Sequence, residues 1–257
     1  MLEFLPSREE FATLRDRVNT VPVYTSLLSD RLTPVLAFDR LAAGTQHAFL
    51  LESVIGGEKL ARYSFLSANP AAHVQSTGPR TVVSDATGEH VFDGVDPITK
   101  LEESLARYRT AHPAGLPRFL GGAVGYAAYD IARHYEPKLS APPPDDRGLP
   151  DMLFGLYDQI VVFDHVRKLV HVVVHAPCDA GVTHAAAYDH AVARIESIVA
   201  TLSDARPGPL KPLVAPPVEP ADAAGSLSQD RFQRGVEVCR DYIRAGDAFQ
   251  IVLSQRL

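Results

Sequence analysis

Two histidines stand closest to recognisable chemistry in this sequence. His171 and His175 lie four residues apart at the end of a β-rich run. Strand side chains alternate, so that spacing points both imidazoles to one face. A zinc site would need at least three protein ligands, and no third ligand stands at a suitable spacing. The pair therefore reads as two exposed imidazoles on a hairpin. Gly121-Gly122-Ala123-Val124-Gly125 is glycine-rich but lacks the G-x-G-x-x-G order of a phosphate-cradling loop. Glu9-Glu10, Glu102-Glu103 and Asp145-Asp146 read as solvated helix and loop charges. Cys178 and Cys239 are far apart without metal-ligand spacing, which suits reduced thiols in a cytosolic protein. The sequence contains no Walker loop, no G-x-S-x-G elbow and no H-E-x-x-H pair.

The bulk chemistry excludes further classes. A net charge of -6, with Lys and Arg scattered singly or in pairs, argues against a nucleic-acid face. The first ten residues carry acids where a targeting signal needs bases. No apolar run approaches membrane-spanning length. A cytoplasmic protein is expected.

The elements that must position any site follow from local signals. Ser7 and Glu10 make a capping box, and Phe11, Leu14 and Val18 then recur at helical spacing, predicting a helix from about Arg8 to Val18. Thr33-Pro34 suits an N-cap with proline at the first helical position, predicting a short helix through Leu41. A strand over Val35 to Phe38 remains the alternative. From Ala48 to Phe92, short apolar runs alternate with turn residues, which indicates antiparallel sheet. Asp96-Pro97 starts a second capped helix. Phe119 to Tyr126 reads as a strand whose glycines imply close backbone approach or a bulge. Ala127 to Tyr135 reads as a short helix, and Leu139 to Pro150 as a proline-rich loop. Ile160 to Phe163 and Leu169 to Val174 flank a polar turn, and a long helix follows from about Gly181 to Leu202.

Arg206 to Gly225 is rich in Pro and Ala and reads as a linker. Ser228 then caps a helix that Gly246 ends, and Phe249 to Leu253 reads as a strand. A lone helix and strand would leave an apolar face and a strand edge open. The expected organisation is a first domain over 1–205, a linker over 206–226, and an incomplete second domain over 227–257.

Several segments carry a resemblance. Phe49-Leu50-Leu51-Glu52-Ser53, Gly56-Gly57-Glu58 and Arg62-Tyr63-Ser64-Phe65 resemble the N-terminal signature of the anthranilate synthase component I family. Val21-Pro22-Val23-Tyr24, Leu32-Thr33-Pro34-Val35, Gly121 to Tyr126, Tyr129-Asp130, Glu136-Pro137 and Val162-Phe163-Asp164-His165 are similar to it in the expected order. Ala245 to Arg256 resembles the opening of the family's chorismate-binding domain. Ala61 and Ser67 stand where the family commonly has glycine.

The resemblance implies an α+β fold, with antiparallel β-sheets packed face to face and helices outside. It implies conversion of chorismate and ammonia to anthranilate and pyruvate, in tryptophan biosynthesis. The ammonia would come from glutamine, through an amidotransferase subunit in a hetero-oligomer. Mg2+ would serve the full-length enzyme. Its ligands and the catalytic residues would lie beyond Leu257, leaving this chain inactive alone. Tryptophan would bind as feedback inhibitor beside Leu51, Glu52 and Ser53, with Arg62 near the closing loop. On burial tendencies alone, Leu50 and Leu51 read as plain core. Aminodeoxychorismate synthase component I and a non-catalytic effector-binding module are the alternatives.

Overall fold

The computed structural model describes residues 2–15, 17–52, 62–139, 144–145, 147–178, 181–203 and 225–255. The chain divides into two compact units, Met1–Ala205 and Arg206–Leu257.

Among the described residues the first unit holds ten strands. In chain order they are β1 (Thr20–Leu28), β2 (Ala48–Leu51), β3 (Tyr63–Ala68), β4 (Ala72–Thr77), β5 (Arg80–Asp85), β6 (Gly88–Asp93), β7 (Gly122–Ala127), β8 (Met152–Tyr157), β9 (Gln159–Asp164) and β10 (Leu169–Pro177). Four helices accompany them: α1 (Arg8–Arg15), α2 (Pro34–Ala42), α3 (Pro97–Ala106) and α4 (His184–Leu202). The strands form two five-stranded sheets, ordered β1-β10-β9-β3-β2 and β6-β5-β4-β8-β7, and every pairing is antiparallel.

Caps place the helix starts where the sequence puts them. Ser7 and Glu10 satisfy each other's backbone N–H groups at 2.9 and 3.2 Å. The side chains of Thr33, Asp96 and Thr183 each accept a backbone N–H at the start of α2, α3 and α4. Pro34 and Pro97 occupy the first turn, where a missing N–H costs nothing. The helical alternative at Val35 to Phe38 is therefore the one adopted. Helix α1 stops at Arg15, short of the predicted Val18, and Arg17 bonds back to Leu14 as a turn. Ala127 to Tyr135 forms a 3-10 turn over Tyr129–His134.

Packing divides the core into three layers. Helices α1, α2 and α4 bury Phe11, Ala37 and Ile195 against one face of the first sheet, where Val23, Val172 and Phe163 meet them. Each of the larger apolar side chains among these contributes about 1.5–3 kcal/mol by leaving water. A second layer joins both sheets through Phe49, Val162 and Val173 with Leu120 and Tyr157. A third layer seats Leu101 of α3 on Val74, Met152 and Leu156 of the second sheet.

Two strands escaped the sequence reading. Strand β1 contains Pro22, which removes a ladder donor; the structure places β1 at the sheet edge, where proline is tolerated. Strand β8 is interrupted by Gly155, whose absent side chain leaves room for the Tyr157 ring. The turn between β9 and β10 is held by Asp164, whose side chain accepts from the backbone N–H groups of Val166 and Arg167 at 3.1 and 3.0 Å.

In the second unit, α5 (Gln229–Ala245) starts at the Ser228 cap and ends at Gly246 with φ of 83°. The strand predicted over Phe249 to Leu253 does not form. A strand exists only in a ladder, and no strand borders this run among the described residues. The predicted linker falls almost wholly on residues outside the described set.

Candidate functional site

The β2–β3 pair brings two of the predicted effector residues to one end of the first sheet. Leu51 closes β2 and pairs with Phe65, three residues from Arg62. Strand β2 is an edge strand, and Leu51 remains 46% exposed although the adjoining Phe49 is buried. Plain core burial therefore does not describe Leu51. Glu52 follows the strand and is exposed. Ser53 lies outside the described residues.

Leu51 lines an open apolar hollow of about 430 Å³. Its other walls are Phe65, Phe119 and Phe154, with Ala123, Val124 and Gly125 of β7. The hollow thus draws on both sheets. Its walls offer aromatic faces and aliphatic carbons, which suit a flat apolar group. Glu52, next along the chain from Leu51, is exposed and does not line the hollow. Phe119 and Gly125 stand in a segment the sequence analysis singled out for its glycines, whereas Phe154 was not anticipated. Only the tertiary pairing of β7 with β8, which sets Gly125 opposite Phe154, brings them together.

Arg62 is engaged from within the chain. Its guanidinium donates to Asp164 at 2.7 and 3.3 Å and lies over the Tyr63 ring at 4.8 Å. Asp164 is 1% exposed on its side chain. Burial by itself would raise the Asp164 carboxyl, but hydrogen bonds from Arg62 and from the Arg167 backbone N–H outweigh it and hold it below the usual range. Arg62 therefore ties the start of β3 to the β9–β10 turn. Nearby, Ser64 Oγ and His165 Nε2 lie 2.7 Å apart.

The glycine run acts through close approach. A side chain on Gly121 would sit 2.7 Å from the Tyr157 carbonyl oxygen, and one on Gly125 would run into the Leu153 carbonyl. These glycines let β7 lie tight against β8, which forms one wall of the hollow.

The two histidines correct an expectation. They share one face of β10, as the spacing requires, but they are not exposed. His171 is 4% exposed and its Nδ1 lies 2.8 Å from Ser26 Oγ. His175 is half-buried and donates from Nε2 to the Leu120 carbonyl at 2.8 Å. Burial pushes both imidazoles down from their ordinary pKa. The sequence showed the face they share but not that the second core layer covers it. Among the described residues no group of three or more His, Cys, Asp or Glu side chains could hold a metal ion. No described helix is long and apolar enough to cross a membrane.

Comparison with known proteins bears on the family and the fold. Anthranilate synthase component 1 of Acetivibrio thermocellus is 35% identical over 257 residues, covering 99% of this chain and 51% of that protein. The protein of the same name from Streptomyces coelicolor is 38% identical, covering 98% of this chain and 46% of that protein. The chain thus spans about half the length of the curated relatives it matches. The crystal structure of anthranilate synthase component I from Streptococcus pneumoniae TIGR4 superposes with a TM-score of 0.58 at 31% identity, covering 89% of this chain and 47% of that one. The family described as chorismate binding enzyme matches residues 46–257. That match runs from β2 through both units, and the chain belongs to the chorismate-binding enzyme family.

Proposed function

We propose that this chain is the N-terminal portion of anthranilate synthase component I and supplies part of its tryptophan-binding effector site. The whole enzyme would convert chorismate and ammonia to anthranilate and pyruvate. A glutamine amidotransferase subunit would deliver the ammonia within a hetero-oligomer in the cytoplasm. The observation that carries this reading is the Leu51 hollow: an edge-strand leucine left half-open beside three phenylalanines, with an exposed glutamate next along the chain.

In this reading an indole ring lies on Leu51, Phe65 and Phe119. The Glu52 carboxylate meets the ligand ammonium, and Ser53 offers a hydroxyl to the ligand. Arg62 keeps its bond to Asp164 and fixes the start of β3. Chorismate chemistry, including any work done by Mg2+ as a Lewis acid, belongs to carboxylates outside this chain. The described residues hold, orient and shield the effector; they move no proton in the lyase reaction.

The test is an anthranilate fluorescence assay on the longer polypeptide with chorismate, ammonia and Mg2+. Anthranilate formation that tryptophan inhibits is expected. A product that is aminodeoxychorismate, or activity indifferent to tryptophan, would overturn the reading. The chain of 257 residues alone is expected to form no anthranilate, and to bind tryptophan weakly by calorimetry.

A further inference from the structure

A second cavity, of about 450 Å³, lies in the first unit and shares no lining residue with the Leu51 hollow. Its size falls within the range of small-molecule sites. Leu105, Leu120 and Leu156 provide an apolar wall, and Arg118, Asp158 and His175 provide charge and polarity.

The charges sort themselves. Asp158 is already neutralised by Arg194, which donates to both carboxylate oxygens at 2.6 and 2.8 Å. His175 spends its Nε2 proton on the Leu120 carbonyl, so the neutral ring carries an acceptor at Nδ1. Arg118 is exposed and has no ion-pair or hydrogen-bond partner among the described residues. It is a cation at the rim of an apolar space.

The walls are built before any ligand arrives. The segment after α3 is laced to the start of β1: Asn19 and Thr20 donate backbone N–H groups to the Arg109 carbonyl, and Ala111 donates to Thr20. The Asn19 side chain bonds the Arg107 carbonyl and the Arg109 N–H, both at 2.6 Å. His112 is held on the Pro117 carbonyl at 3.1 Å. Opposite this wall, Gly121 and Gly122 adopt φ of 146° and 120°, which side chains rarely tolerate. A Cβ on Gly122 would meet nothing within 4 Å, so its bare backbone borders open space. A fixed wall lowers the ordering cost of binding.

We propose that this cavity is a second small-molecule site, for a compact monocarboxylate with an apolar body. The carboxylate pairs with Arg118, and the body lies on Leu105, Leu120 and Leu156. The site is independent of the effector reading, because its residues and its ligand class stand without tryptophan or chorismate.

The test uses 3-phenylpropionate as the probe and amide NMR of the isotope-labelled chain as the readout. Saturable shifts confined to Gly121, Gly122, Ala111 and their neighbours are expected. The uncharged 3-phenylpropanol should give shifts weaker by about tenfold at equal concentration. Arg118→Gln changes an exposed side chain and should weaken 3-phenylpropionate by about tenfold without altering the rest of the spectrum. Ala71→Trp fills the rim and should abolish the shifts. Leu51→Asp, at the other hollow, should leave them unchanged. No saturable shift at these amides, equal binding of the alcohol, or an unaffected Arg118→Gln variant would overturn the proposal. Shifts lost in Leu51→Asp would assign the probe to the effector hollow and overturn it equally.

Discussion

The two units of this chain use the same local signals and differ in what they bury. Helix α4 begins at a Thr183 cap and buries Ala191, Ile195 and Leu202 against the first sheet. Helix α5 begins at an equally good Ser228 cap and ends at a left-handed Gly246, yet none of its residues is buried. Val238, Tyr242 and Ile243 are 53%, 52% and 41% exposed, and Phe249 beyond it is 95% exposed. Caps decide where a helix starts and stops; burial decides how much stability it brings. The comparison also separates helices from strands. A helix satisfies its own backbone, so α5 forms without a ladder, whereas Phe249 to Leu253 stays irregular for want of one among the described residues.

The contrast can be broken by substitution, beginning in the first unit. Ile195→Ala, in the fully buried stripe of α4, should cost about 2–5 kcal/mol in urea unfolding. Val238→Ala in α5 should change the same transition by less than about 0.5 kcal/mol. Equal losses would mean that α5 is packed as tightly as α4. Gly125→Ala should cost about 2 kcal/mol or more, because its methyl meets the Leu153 carbonyl and overpacks the β7–β8 ladder. An unchanged midpoint would show that β7 can move away freely.

Acid sharpens the comparison, because among the described residues the buried Asp and His belong to the first unit. His171 and His175 have folded pKa values below the ordinary imidazole value, so the unfolded chain binds their protons first. Their contribution is complete above about pH 6.5 and is lost as pH falls below it. Asp164 acts lower: its depressed carboxyl contributes above the unfolded value near 4 and loses that contribution as pH falls through the folded value. Urea midpoints measured from about pH 7.5 down to about pH 2 should fall in two stages. His171→Phe should flatten the first, and Asp164→Asn should flatten the second while costing about 1–3 kcal/mol at neutral pH. A pH-independent midpoint would contradict the burial of these groups. The smallest effect belongs to Ser228→Ala, which should cost about 1 kcal/mol of α5 helicity, read by hydrogen exchange at Arg231 and Phe232. The sheets should not register it.

Much of this fold was legible in the sequence because caps and turns are local. Thr33-Pro34, Asp96-Pro97 and Ser228 each marked a helix start that formed. What was illegible depends on position in a sheet. Pro22 conceals a strand that is permitted only at an edge, and Gly155 breaks a run whose gap is filled by the Tyr157 ring. The burial of His171 and His175 depends on a layer contributed by residues far away in sequence, so spacing gave their shared face and not their surroundings. At the candidate site, Leu51 is singled out by resemblance alone, since nothing in an apolar run marks which leucine stays open. Phe154 could be found only after β8 was seen to pair with β7.

The most direct test of the effector assignment is a tryptophan inhibition curve on the longer polypeptide, wild type against Leu51→Asp, followed by anthranilate fluorescence. A charge placed in the apolar hollow should raise the half-inhibitory tryptophan concentration by at least about tenfold, with turnover of chorismate unchanged in the absence of tryptophan. Inhibition curves that superimpose would contradict the assignment.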